Sequence, residues 1–261
     1  MDIATSKKLV SDYYRKLYSA ACGEAMQEYL TPDYVEHQYT ANFSRAGLAD
    51  YVAQRLADNP DHQVIIHKTF AENDLVFLFV EEKLKDGVDV ARAELFRLEG
   101  GKIAEHWGTH VVDEKNRKND NGTFDGPQAD LSVDYAKKAR DRFLELDLRA
   151  FDGQEIEYFY ETRTPEYKQH SPKGRDGLEG LVEILSKAKD SGIKVSMKPN
   201  KVLAEGDFLI CHRLYDTFPK HPLMNRINTF DLFRFNAEGK SIEHWDVMED
   251  VPEEWMLEKI F

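Results

Sequence analysis

Apolar residues recur every three or four positions near the start of the chain and again in its second half. In the first stretch Leu9, Tyr13 and Leu17 lie four residues apart, which predicts an amphipathic helix. A second set has similar spacing: Tyr135, Ala139, Phe143 and Leu146. Each half therefore opens with a helix that buries one face.

The rest of each half follows the same order of patterns. Shorter helices are predicted over 24–30 and 154–160, and longer ones after Gly47 and Gly177. Strand-like stretches follow: 63–71, 75–85, 90–98 and 102–112, then 194–203, 208–215, 226–235 and 241–247. Hairpin turns are predicted at Asn73-Asp74, Gly100-Gly101 and Glu238-Gly239. Helices followed by an antiparallel meander predict an α+β fold, with the helices on one face of a curved sheet.

The two halves read as copies of one domain. Tyr34-Val35-Glu36-His37 aligns with Tyr167-Lys168-Gln169-His170, an offset of 167 − 34 = 133. Glu105-His106-Trp107 aligns with Glu243-His244-Trp245, an offset of 243 − 105 = 138. A chain of 261 residues suits two domains, and we predict them at 1–126 and 127–261. The linker, 116–130, carries turn residues, and the apolar end of the chain, 255–261, predicts a short docked helix.

The copies differ most after their shared tryptophan. Gly108 follows it in the first copy and Asp246 in the second, while Phe79 in the first copy corresponds to His212 in the second. The difference predicts a degenerate, non-catalytic first domain, acting as a packing partner or as a binder of an apolar ligand. The active site is predicted in the second domain.

Composition narrows the class of partner and the compartment. With 48 acidic and 35 basic residues, the net charge of −13 argues against nucleic acid and anionic membranes as partners. The amino terminus lacks the apolar core of a signal peptide, and Cys22 and Cys211 read as free thiols, which predicts a cytoplasmic protein. Neither a zinc signature nor a nucleotide-binding glycine loop is present, so we predict no metal and no cofactor.

The landmarks of the second half resemble the nuclear transport factor 2-like superfamily of cone-shaped α+β domains, and within it the SnoaL-like polyketide cyclase branch. They are Tyr167-x-x-His170-Ser171-Pro172, Ala204-Glu205-Gly206-Asp207 with His212, Asp231-Leu232-Phe233-Arg234, and residues 239–246. The first half matches at Tyr34, His37, Phe96-Arg97 and residues 101–107. Its exit, 119–124, looks like the tail of single-domain members described as predicted aldol-condensation enzymes.

The resemblance implies cofactor-free acid–base chemistry, in which an aspartate in the cone removes a proton beside a carbonyl group. That aspartate maps onto Asp246. Since side chains alternate along a strand, His244 shares its face. A burial-raised pKa would suit Asp246 to this task; the alternative is an aspartate at a strand end that caps a turn or faces water.

Other polar residues are candidates for supporting roles. His212 would stabilise the enolate oxygen, or it is a core histidine bonded to the backbone. His170 is a further catalytic candidate, and Tyr167, His244 and Asp231 are substrate-binding candidates. Retention of Tyr167 and His170 in both copies also fits structural roles, and Asp231 could form a salt bridge instead.

Together these features predict an aldol-type cyclase, isomerase or related lyase that acts on a small apolar carbonyl compound in the second cone. Two alternatives stay open: a non-enzymatic small-molecule binding protein and a protein–protein adaptor. Domains of this kind commonly pair through their sheets. The repeats are therefore expected to form an intramolecular pseudo-dimer, with a further homodimer as an option.

Overall fold

The computed structural model describes residues 1–221 and 224–261. Two compact units compose it. The first is Met1–Asp113 together with Glu253–Phe261, and the second is Glu114–Pro252. This division differs from the predicted boundary at 126/127, because the linker belongs to the second unit and the last nine residues belong to the first.

Each unit is an α+β domain in which helices precede a five-stranded sheet, as the pattern predicts. The first unit contains α1 (Ile3–Leu17), α2 (Cys22–Tyr29), β1 (Leu30–Glu36), α3 (Arg45–Asp58), β2 (Gln63–Glu72), β3 (Leu75–Lys83), β4 (Asp89–Glu99) and β5 (Lys102–Val112). The second contains α4 (Tyr135–Asp152), α5 (Tyr158–Thr162), β6 (Arg163–Gln169), α6 (Leu178–Asp190), β7 (Lys194–Glu205), β8 (Phe208–His221), β9 (Met224–Phe235) and β10 (Ser241–Asp250). None of the helices in the described ranges is long and apolar enough to cross a membrane.

The two sheets share one topology. Strand order is β1-β5-β4-β3-β2 in the first unit and β6-β10-β9-β8-β7 in the second. The outer strands β1 and β6 run parallel to β5 and β10, and the other neighbours are antiparallel. These parallel strands carry the Tyr-x-x-His segments, which the sequence pattern did not predict as strands. Both are short and contain a proline, a residue that edge strands tolerate.

The predicted helices form because their apolar faces meet the sheets. Asp2 caps α1 by accepting a hydrogen bond from the Thr5 amide at 2.9 Å. Val10, Tyr13 and Leu17 of α1 are buried in the core of the first unit. The hairpin turns also lie where predicted: Asn73, Gly100, Gly101 and Gly239 all have positive φ.

The end of the chain is a short helix, α7 (Leu257–Ile260), as predicted. Ile260 is buried, and Trp255 meets Phe43 edge-on with ring centroids 5.8 Å apart. The segment thus completes the first unit. Both cysteines are free, also as predicted.

Hydrogen bonds explain why the linker belongs to the second unit. The Asn119 side chain donates to the Ser171 carbonyl at 2.7 Å, and the Trp245 indole donates to the Asp125 carbonyl at 3.1 Å. From the sequence, the turn residues of this stretch predicted a linker between the domains. In the structure the same residues form a loop that is docked on the second unit. Its backbone groups are satisfied by the unit that follows.

Gly126 provides a test of this docking. Its φ is +95°, and an added Cβ would lie 2.5 Å from the Trp245 ring. We expect Gly126→Ala to destabilise the second unit by about 1–3 kcal/mol, since strained backbone and a collision combine. Urea unfolding measures the effect. Gly192→Ala is the matched control, because Gly192 also has positive φ but open space around it. Equal losses for both variants would contradict a docked loop.

Candidate active site

Strand register decides which side chains of the second unit share a face. Asp246 of β10 lies opposite Asp231 of β9, and Asp231 lies opposite Cys211 of β8. The next row along the sheet is Val247, Phe230 and His212. Because neighbouring residues of a strand point to opposite faces, the first row faces one side and the second row the other.

Asp246, Asp231 and His244 form one cluster on the inner face. Their side-chain ligand atoms all lie within 4.8 Å of one another. Asp231 and His244 are buried, and Asp246 is partly exposed. The structure therefore brings together three of the residues that the sequence singled out.

His244 is held between two acceptors. Its Nδ1 lies 3.1 Å from Oε1 of Gln169, which also accepts the Ser171 amide at 2.9 Å, so this nitrogen donates. Its Nε2 lies 3.0 Å from Oδ1 of Asp231. Both ring nitrogens of His244 are therefore bonded, and the ring lies beside Asp246 in the same cluster.

Two further side chains contact the Asp231 carboxyl group. The Tyr215 hydroxyl donates to its Oδ2 at 3.2 Å, and Nε of Arg213 lies 3.7 Å from the same oxygen. Arg213 and Arg163 both bind Asp147 at 2.7 Å. Burial opposes the charge of Asp147, but the two guanidinium groups outweigh it and lower the pKa of this carboxyl. Sequence reasoning missed these residues, although their alternation along β8 puts Cys211, Arg213 and Tyr215 on one face.

Asp246 differs from its neighbours in its electrostatics. Burial raises the pKa of its carboxyl, and the negative charge of Asp231 adds to this effect. The positive His244 ring and a hydrogen bond from Ser171 act in the opposite direction but do not cancel it. A carboxyl group whose pKa is raised in this way accepts a proton more readily than an ordinary aspartate.

Tyr167 lies behind the cluster, inside the unit. It is buried, and its ring stacks against His244 with centroids 6.0 Å apart. Burial raises the pKa of its hydroxyl far above the usual range, so the group stays neutral. Its placement beside His244 gives it a packing contact with the cluster.

His212 is not part of this cluster, so the structure does not bring it together with Asp246 as the sequence prediction assumed. It lies on the opposite face of the sheet, where Nε2 bonds to Asn228 Oδ1 at 2.7 Å and Nδ1 to Asn200 Nδ2 at 3.0 Å. The ring stacks on Phe230 with centroids 4.4 Å apart. The single-residue step from Cys211 reverses the direction of the side chain, and equivalence to Phe79 could not reveal its face.

His170, the other predicted catalytic histidine, is also separated from Asp246. Its ring stacks on Trp245, whose side chain leaves β10 on the face opposite to Asp246. Nε2 bonds to Glu243 at 2.9 Å and Nδ1 to the Gly122 carbonyl at 2.7 Å. With both nitrogens bonded, His170 fixes the docked loop 114–126.

The first unit has a different set of groups at the equivalent place. His106 lies between two carboxylates, with Nδ1 3.0 Å from Glu36 and Nε2 2.7 Å from Glu94. Burial opposes protonation of this ring, but the charges and hydrogen bonds of Glu36 and Glu94 outweigh it and raise its pKa to about 10. His106 is therefore charged at neutral pH.

Gly108 is explained by the length of Glu94. A Cβ at position 108 would lie 2.3 Å from Oε2 of Glu94. Glu94 is one methylene longer than Asp231, so its carboxylate occupies the space that the Asp246 side chain needs in the second unit. The first unit keeps a carboxylate here, but Tyr14, Arg92 and His106 all bond to it.

The cluster of the second unit also has the donors of a metal site. One imidazole and two carboxylates suit a divalent cation. However, both nitrogens of His244 are already hydrogen-bonded, and Arg213 places a positive charge beside Asp231. A cation bound by these three side chains would have to replace the His244–Asp231 hydrogen bond.

The charged state of His106 leads to a prediction on stability. Its folded pKa, about 10, exceeds the unfolded value of about 6.5. The stabilisation is complete below about pH 6.5 and is lost as the pH rises towards 10. We therefore expect His106→Gln to lower the melting temperature of the first unit most at pH 6 and least at pH 10. Calorimetry across this range tests it, with the half-exposed His67→Gln as control. A pH-independent difference would contradict the buried imidazolium.

Comparison with known proteins agrees with this fold. Residues 10–106 match the SnoaL-like domain family. No curated protein matches the chain.

Solved structures that resemble the chain each cover less than half of it. TsrD of Streptomyces laurentii is 17% identical over 43% of this chain and 90% of that protein, with a TM-score of 0.38. AclR of Streptomyces galilaeus, proposed to be a hydroxylase, is 21% identical over 44% and 92%, with a TM-score of 0.37. A protein of Acidithiobacillus ferrooxidans proposed to be a polyketide cyclase is 22% identical over 42% and 91%, with a TM-score of 0.36. The first unit is thus similar to the SnoaL-like domain family over residues 10–106, and the second unit repeats the strand order of the first.

Proposed function

We propose that the second unit is a cofactor-independent acid–base enzyme that acts on a small, largely apolar carbonyl compound. The observation that carries the proposal is the pair Asp246 and Asp231. One carboxyl is partly exposed with a raised pKa, and its neighbour is buried and held by His244, Tyr215 and Arg213. When two neighbouring carboxyl groups lie in such different environments, they can take different roles in one reaction.

In the proposed step, Asp246 accepts a proton from the carbon beside the substrate carbonyl. The electron pair of the broken C–H bond moves onto the carbonyl oxygen and forms an enolate. In an aldol-type cyclase the enolate carbon then attacks a second carbonyl of the same molecule, whose C=O π bond opens to an alkoxide, and Asp246 returns its proton to that oxygen. In an isomerase Asp246 returns the proton to another carbon of the enolate system.

The remaining residues of the cluster position this base. His244 links Gln169 of β6 to Asp231 of β9, so three neighbouring strands fix the carboxylate beside Asp246. Ser171 hydrogen-bonds to Asp246 from the segment after β6. Because both nitrogens of His244 are bonded, it acts through Asp231 and contacts no substrate in this proposal.

Exchange of α-hydrogen for deuterium tests the proton-transfer step without knowledge of the product. A panel of cyclic ketones and β-keto esters is incubated with the protein in D₂O and followed by proton NMR. We expect exchange with at least one compound, and a loss of about 10²–10⁴-fold in Asp246→Asn, the range for a positioned base. Asp250→Asn is the matched control, since Asp250 is an exposed aspartate of the same strand.

Three outcomes would contradict the proposal. Exchange that persists in Asp246→Asn excludes this carboxylate as the base. Exchange that disappears on adding EDTA indicates a metal site at the same cluster. Binding of a panel compound without exchange, unchanged in Asp246→Asn, favours the alternative of a non-enzymatic small-molecule binding protein.

A further inference from the structure

Each unit holds a segment of the chain with the same three types of side chain, a histidine, a tryptophan and a glutamate. In the first unit the His37 ring stacks on Trp107 with centroids 4.4 Å apart and planes at 8°. Its Nε2 lies 3.0 Å from Glu105, and its Nδ1 bonds to the Lys259 carbonyl. We call His37, Trp107 and Glu105 the histidine clamp of the first unit.

The second unit repeats this geometry. His170 stacks on Trp245 with centroids 4.4 Å apart and planes at 9°, its Nε2 lies 2.9 Å from Glu243, and its Nδ1 bonds to the Gly122 carbonyl. The same rings and the same carboxylate thus present one nitrogen to a backbone carbonyl in both units. The repeated geometry indicates that the histidine of each Tyr-x-x-His motif binds a backbone carbonyl.

The occupants of the two clamps have equivalent origins. Gly122 follows the last residue of β5 by 122 − 112 = 10 positions, and Lys259 follows the last residue of β10 by 259 − 250 = 9 positions. A clamp therefore holds the exit segment that comes about ten residues after a final strand.

The occupant of the first clamp is a self-contained piece of chain. Its short helix closes on itself through the Phe261 amide, which donates to the Leu257 carbonyl at 3.0 Å. It contacts the first unit through Ile260, which is buried, through Trp255 against Phe43, and through the ammonium of Lys259, 5.1 Å from the Phe43 ring centroid. None of the five-stranded sheet's ladders includes this segment.

We infer that the histidine clamp of the first unit, with Phe43, is a binding site for a short helical peptide. In this structure the segment Glu253–Phe261 of the same chain occupies the site through non-covalent contacts, and it can be exchanged for a free peptide. The site recognises three features of the peptide. His37 binds a backbone carbonyl, Phe43 contacts an aromatic ring and a lysine, and the core takes up an apolar side chain. This site is separate from the proposed acid–base cluster of the second unit.

The test uses the full chain with a protease recognition sequence inserted between Pro252 and Glu253, so that the protein folds before the tail is cut. The cut protein is dialysed and titrated with fluorescein-labelled peptide EEWMLEKIF, and binding is followed by anisotropy. We expect saturable binding to the cut protein. Binding to the uncut chain should be at least about tenfold weaker, since its own tail competes at a high effective concentration.

Matched variants separate the clamp from non-specific adhesion. His37→Ala in the cut protein should weaken binding at least about tenfold, and the peptide carrying W255A should bind more weakly than the parent. Circular dichroism confirms that each protein stays folded. Equal binding to cut and uncut chains, unchanged binding to His37→Ala, or no binding to a folded cut protein would each overturn the inference.

Discussion

One buried histidine in each sheet determines which side chains surround it on the inner face. It lies on the strand that comes last in its unit, β5 or β10. A ring in this position needs acceptors for its nitrogens, because an unpaired polar group in the interior is destabilising. His106 finds them in Glu36 and Glu94, and His244 in Gln169 and Asp231. Each histidine thereby ties three neighbouring strands together, and the charge of its partners decides what the remaining groups are free to do.

The two units satisfy this constraint with different charges. In the first, two carboxylates enclose one imidazolium, and Arg92 adds a further cation to Glu94. In the second, the neutral Gln169 replaces Glu36, so His244 is hydrogen-bonded to one carboxyl group, that of Asp231, instead of two. The shorter Asp231 also leaves room for a side chain at position 246. Compared with the first unit, the second therefore lacks one carboxylate, at Gln169, and one methylene, at Asp231. It has a second carboxyl group at Asp246, whose pKa is raised.

Sequence comparison of the copies anticipated the fold because helix periodicity, strand alternation and turn residues are local signals. It also predicted that His244 and Asp246 share a face, since they are two residues apart in one strand, but it left Asp231 open between a place in the cone and a salt bridge. It could not assign His212, whose direction depends on the register between β8, β9 and β10. Nor could it separate a free linker from a docked loop, because Asn119 and Gly126 favour turns in either case.

The sequence motif alone did not identify the site, because side chains one residue apart in a strand lie on opposite faces of the sheet. Glu243 and Trp245 are direct sequence neighbours of His244 and Asp246, yet their side chains lie on the opposite face of the strand, where they contact His170. There they fix an exit segment, and the same residues do so in the first unit, where position 108 has no carboxylate. Residues retained in both copies therefore report what each domain needs in order to hold its chain. The residues that differ, at 36 and 169, at 94 and 231 and at 108 and 246, are the ones that change the chemistry of the interior.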